Sequence, residues 1–187
     1  MIFFTSDFHF CHNKEFIYMP RGFSSIDEMN ETLVRNYNQL VAKDDEVYIL
    51  GDIMLNDNNM GLQLFNELNG KKHIIRGNHD TDTRIELYKS CPNVVEISEG
   101  QHIKYNGYHF LLCHYPTLTA NYTDEKKLKS RLLNICGHTH TKDRLCDMDK
   151  GIIYHVEVDA HNCYPVNIEQ IIDEIKKEYQ KRCGGNQ

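Results

Sequence analysis

Five apolar runs in this sequence each stop at a dense polar cluster, and that repetition constrains the fold more than any other feature. "IFFTS" ends at Asp7-Phe8-His9, "VYILG" at Asp52, "HIIRG" at Asn78-His79-Asp80, "HFLLC" at His114, and "LLNICG" at His138-Thr139-His140. Short apolar runs bounded by turn residues read as buried strands. Open α/β sheets place ligands in the crevice beyond the carboxyl ends of their strands. Sheets that converge at one edge would gather these Asp, Asn and His side chains in a single cleft. Ordinary turn chemistry accounts for any one cluster, but hardly for five of the same design.

The segments between these runs fill in the architecture. "SSIDEMNETLVRNYNQLVAK" reads as a helix, with Ser25 and Glu28 at capping-box spacing and Met29, Leu33, Tyr37, Leu40 and Val41 on one face. "MGLQLFNELNG" reads as a helix stopped by Asn69-Gly70, and "TDTRIELYKS" as a short one. "HIKYNGYHFLLCH" holds two apolar segments around Asn106-Gly107, a hairpin pattern. "IIYHVEV" reads as a late strand and "IEQIIDEIKKEY" as a closing amphipathic helix, apolar at 168, 171, 172 and 175. Strands and helices alternate in the first half, and strands pair locally in the second. The expectation is an α/β or α+β layered domain, with a mixed sheet core and helices outside. A chain of 187 residues suits one domain, taken as 1–182, with 183–187 as a fraying tail.

Composition narrows the chemistry. The net charge is −6 without a long basic block, so an extended nucleic-acid footprint is not expected. No run is long and apolar enough for a membrane span, and "MIFFTSD" lacks a basic leader, so a cytoplasmic setting is the default. The seven cysteines form no C-x-x-C pair, which argues against a disulfide framework or a cysteine-rich zinc site. Oligomeric state is not legible.

The residue types at the strand ends select a metal chemistry. Carboxylate oxygen, amide oxygen and neutral imidazole together suit borderline divalent ions such as manganese, iron, zinc, cobalt or nickel. So many candidate ligands exceed one tetrahedral site and suit two ions sharing a carboxylate. Ions about 3.5–4 Å apart can clamp both oxygens of a phosphoryl displacement. "D-F-H", "G-D", "G-N-H-D", a lone His and "G-H-T-H" follow the order seen in calcineurin-like metallophosphoesterases, from residue 7 to residue 140. The chain resembles that family, and the opening "TSDFHFCHN" resembles its small bacterial and phage branch.

The resemblance implies a four-layer β-sandwich of two mixed sheets flanked by helices, with the site at one end. It implies that Asp7, His9 and His140 bind one metal, that Asn78, His114 and His138 bind a second, and that Asp52 bridges them. It further implies a metal-dependent phosphoric ester hydrolase in which a metal-bridging hydroxide attacks the phosphorus of a phosphomonoester or small phosphodiester. His79 would contact the phosphate and protonate the leaving oxygen, a role suited to an imidazole. Asp80 would brace the turn or an imidazole. Two divalent ions bring about +4 against about −2 from Asp7 and Asp52, a locally cationic pocket in an acidic protein. A non-catalytic metal-binding scaffold and a nuclease are the competing readings.

Three further residues are candidates for substrate contact: His12, Arg21 in "MPRGF", and His161 in "VDAHNCYP". Their plainer readings are a loop histidine, a surface arginine and a structural histidine. His73, His102, His109 and His155 carry no motif and read as structural. Cys113 reads as a core thiol and Cys11 as the cysteine least expected to be inert; "DEKKLKSRL", with the run Lys126, Lys127, Lys129, Arg131, reads as a short helix or a solvated basic face, with recruitment of nucleotides as the alternative role.

Overall fold

The computed structural model describes residues 1–119, 127–148 and 151–184. In chain order the elements are β1 (Ile2–Thr5), α1 (Glu15–Tyr18), α2 (Ile26–Leu40), β2 (Glu46–Ile49), α3 (Asn58–Glu67), β3 (Lys71–Ile75), α4 (Asp82–Lys89), β4 (Val94–Ser98), β5 (Gln101–Tyr105), β6 (Tyr108–Leu112), β7 (Leu132–Cys136), β8 (Leu145–Cys146), β9 (Ile153–His155), β10 (Val166–Asn167) and α5 (Ile168–Gly184). They build two five-stranded sheets. The first runs β10-β1-β2-β3-β4, and the second β5-β6-β7-β9-β8. Strands β1 to β4 are mutually parallel while β10 is antiparallel to β1. The second sheet joins parallel pairs β6–β7 and β7–β9 to antiparallel pairs at both edges. Both sheets are therefore mixed, as expected.

Strand alternation explains the layering. Successive side chains of a strand point to opposite faces. Phe3, Ile49 and Ile74 face a core shared with Met29, Leu33 and Tyr37 of α2, Phe65 of α3 and Tyr88 of α4. Their neighbours Phe4, Leu50 and Ile75 face a second core with Phe110, Leu112, Ile135 and Tyr154 of the other sheet. Ile168, Ile171, Ile172 and Ile175 of α5 join that inter-sheet core. Runs buried on both faces lack polar alternation, which is why they read as continuous apolar segments.

Local signals held with small shifts. Ser25 caps α2 by accepting from the Glu28 amide, but the Glu28 carboxylate reaches back to Ser24 rather than closing on Ser25. Leu40, expected on the buried face, is exposed because α2 ends there and Val41 turns inward instead. The late strand is shorter than "IIYHVEV", and α1, β4, β8 and β10 were not foreseen. The basic run is not one solvated face. Arg131 is buried with its guanidinium over Tyr179, Lys129 lies over Tyr108, and Lys126 falls outside the described residues.

Candidate metal centre

The residues following β1, β2, β3, β6 and β7 converge at one end of the two sheets. Backbone hydrogen bonds tie the loops together there: the Asp7 amide donates to Gly51 O (3.0 Å), the His9 amide to Asp52 O (3.1 Å) and the Gly137 amide to His114 O (3.0 Å). The approach is close enough to require glycine. Gly51 has φ +86°, and a methyl on it would stand 2.5 Å from the Gly77 Cα. A methyl on Gly77 would stand 2.5 Å from the Asp52 amide nitrogen. Asp7, His9, Asp52, His138 and His140 all have left-handed backbone (φ between 51° and 76°). Such conformations are uncommon outside glycine and concentrate at functional sites.

All seven residues expected as metal ligands meet in this cleft. Asp7, His9 and His140 form one group of potential ligand atoms, and Asp52, His114 and His138 a second. His9 Nε2 and His140 Nε2 are 3.1 Å apart, and Asp7 Oδ1 lies 3.8 Å from each. In the second group Asn78 Oδ1 is 2.9 Å from both His114 Nε2 and His138 Nδ1. Asp52 Oδ2 lies between the groups, 3.7 Å from His9 Nε2 and 3.5 Å from His114 Nε2.

The donor set fits divalent cations. Asp7 is fully buried and its Oδ1 has no hydrogen-bond partner, although buried carboxylate oxygens are ordinarily satisfied. That oxygen faces imidazole nitrogens crowded together. Burial pushes the Asp7 carboxyl up to about 7 and raises Asp52 as well. Burial, reinforced by His140, drives His9 down to about 2. Each of these shifts disfavours charge in a protein-only cleft, and a cation offsets the cost.

Surrounding residues fix the orientation of these side chains. His114 Nδ1 donates to Leu50 O (2.7 Å), which leaves Nε2 turned to Asn78 and Asp52. His140 Nδ1 donates to Asp159 Oδ2 (2.9 Å), leaving Nε2 turned to His9. Asp159 in turn accepts from Arg21 Nε (2.9 Å) and Nη2 (2.8 Å). Burial alone would raise the Asp159 carboxyl, but the bonds from His140 and Arg21 prevail and hold it well below the usual carboxylate range. Asp80 accepts from the Asp52, Ile53 and Gly77 amides and from the Tyr88 hydroxyl, so it braces the turn and not an imidazole.

His79 stands beside both groups and belongs to neither. Its ring is half exposed, with Nε2 4.0 Å from Asp52 Oδ2, while its amide donates to Asp52 Oδ1 (2.8 Å). His12 lines the cleft next to His9, with ring centroids 5.6 Å apart. Arg21 corrects its surface reading. Its side chain is 1% exposed, and it donates to Phe8 O and Asp7 O as well as Asp159, so it underpins the cleft and offers no phosphate contact. His161 is buried with Nε2 on His155 O and stays outside the cleft. The residue of "VDAHNCYP" that reaches the cleft is Asp159, which sequence reasoning passed over. Its signal was an acid in the same polar stretch as His161.

The remaining histidines and thiols have structural partners. His73 lies 2.7 Å from both Glu46 and Glu96, His102 and His109 stack, and His155 sits among Cys136, Cys146 and Glu157. Cys113 follows β6 and is half-buried, its thiol on Tyr115 O, so it is not the core thiol expected. Cys11 is buried, and burial pushes its thiol up to about 11, which suppresses the thiolate.

Comparison with known proteins agrees with this geometry. Residues 1–156 match the family model described as the calcineurin-like phosphoesterase superfamily domain. An uncharacterized protein of Methanocaldococcus jannaschii is 35% identical over 181 residues, covering 94% of this chain and 92% of that protein. The gene 66 protein of Mycobacterium phage D29 is 27% identical, over 94% of this chain and 98% of its own. A solved structure of a protein of unknown function from Aquifex aeolicus superposes with a TM-score of 0.68 at 26% identity, over 94% of this chain and 98% of that one. Strand-end motifs, two mixed sheets and a family model spanning most of the chain lead to one conclusion: this protein belongs to the calcineurin-like phosphoesterase superfamily.

Proposed function

We propose that this chain is a dinuclear metal-dependent phosphoesterase acting on a phosphomonoester or small phosphodiester. The observation that carries the reading is the position of Asp52 Oδ2, within 3.7 Å of a nitrogen in each ligand group. A carboxylate there is placed to be shared by two ions. Asp7, His9 and His140 would hold one ion, Asn78, His114 and His138 the other, with Asp52 common to both. Divalent ions so held supply Lewis acidity, which makes water nucleophilic near neutral pH and offsets charge on phosphoryl oxygens.

The chain's own groups do the rest. His79 is the general acid: it lies outside the ligand groups, faces the cleft, and is held by its amide on Asp52. Its imidazole donates a proton to the departing oxygen. Asp80 and Asp159 keep the turn and His140 in register, and Arg21 keeps Asp159 charged and aimed. Manganese, iron, zinc, cobalt and nickel all suit the mixed nitrogen and oxygen donors.

The test is a panel of activated phosphomonoesters and phosphodiesters presented to metal-supplemented protein, with a chelator control. Hydrolysis that the chelator abolishes supports the reading. Metal-loaded protein that hydrolyses none of them would leave the scaffold alternative.

A further inference from the structure

The metal centre opens on one side into a cavity of about 590 Å3 that is unlike the rest of the cleft. His9, His140 and His79 form its floor, and Phe16, Ile17 and Pro20 form its wall. Ile17 is buried and anchors the single turn of α1, whereas Phe16 on the same turn is 70% exposed. An exposed phenyl ring leaves apolar surface in water, yet this one is not loosely placed. It stands edge-on to His12, with centroids 5.5 Å apart and planes at 89°, and His12 stands 5.6 Å from the ring of His9. A file of rings thus runs from the candidate ligand His9 to the cavity wall. Among the described residues, no lysine or arginine lines the cavity, and the one acid lining it, Asp159, is already paired with Arg21.

We infer that this cavity receives the leaving group of the substrate, and that the leaving group carries a flat, uncharged ring, such as a nucleoside base, which lies against Phe16. Its size is that of a small-ligand pocket, and its apolar wall with a few polar groups is the usual composition of one. A leaving group bearing a second phosphate would meet no cation there. A ring would cover the phenyl face that solvent now covers, while His79 remains beside the ester oxygen. Phe16 is on this account a specificity-determining residue. The inference rests on the phosphoesterase reading for its orientation, floor to phosphate and wall to ring.

The experiment compares metal-loaded wild type and Phe16→Ala on 2-phenylethyl and ethyl esters of phosphate, as monoesters and methyl diesters, whose leaving alcohols are close in acidity. In parallel, calorimetry measures binding of benzylphosphonate and methylphosphonate. The expected result is a preference of wild type for the ring-bearing ester in kcat/KM, reduced about tenfold in Phe16→Ala and retained in Phe16→Tyr, with the ethyl esters unaffected. Equal effects of the substitution on ring-bearing and ring-free compounds overturn the inference. So does a Phe16→Ala variant that keeps the ring preference but loses a dimer by light scattering, which would assign Phe16 to a second copy of this chain. If no ester is turned over, the phosphoesterase reading falls and takes the leaving-group role with it, and only the ring site against Phe16 is left to test. Phosphonate binding then decides: ring-dependent affinity that requires Phe16 supports that site, and equal affinities end it.

Discussion

Asp159 and Arg21 show how the cleft depends on residues that touch no candidate metal position. Arg21 holds Asp159 by two hydrogen bonds, Asp159 holds Nδ1 of His140, and Nε2 of His140 is thereby aimed at His9. Partners of this kind typically change metal affinity ten- to hundredfold when removed. Asp159→Asn should therefore weaken one of two metal-binding events by about that factor and spare the other, which a calorimetric metal titration resolves. A uniform loss of both events would instead indicate a general structural defect. His79 sits differently. His79→Asn should lower kcat by about a hundredfold, within the usual range for a general acid, with metal content near wild type by elemental analysis. Unchanged turnover would remove His79 from proton transfer. The seven candidate ligands were legible because each ends an apolar run. The brace was not, since Arg21 precedes Asp159 by 138 positions and only the fold joins them.

The elements that matter most are the parallel strands β1, β2 and β3 and the loops that follow them. As strands they were readable in outline, because strands buried on both faces appear as unbroken apolar runs. The edge strands were not. β8 and β10 are two residues each, too short for any periodicity, and β4 is only half-buried, so its pattern is diluted. Nor could the sequence show that candidate ligand residues sit at positive φ. Asp and His tolerate that region without advertising it. Gly51 does sit at positive φ, and together with Gly77 it marks close packing between strand ends. Gly77→Ala should cost about 1–3 kcal/mol of stability by overpacking the Asp52 turn, and should reduce metal content through the displaced carboxylate. Denaturant unfolding of the metal-free protein, followed by elemental analysis, checks both parts. A stable variant with full metal content would show that the turn has room to relax.

At the scale of the whole molecule, two sheets share one apolar core and bring their strand ends to the same edge, so that candidate ligands separated by 131 positions, such as His9 and His140, come within 3.1 Å. On the proposed reading, bound cations supply the local positive charge that a phosphate needs in a chain with a net charge of −6. Among the described residues, no helix is long and apolar enough to cross a membrane. On the proposed reading, two ions joined through Asp52 act together on one phosphate ester. That reading is tested most directly by measuring hydrolysis of an activated phosphate ester while manganese is added stepwise to metal-free protein. Turnover should keep rising past one equivalent and reach its plateau at two equivalents per chain. A plateau at one equivalent, or no hydrolysis with two ions bound, would contradict it.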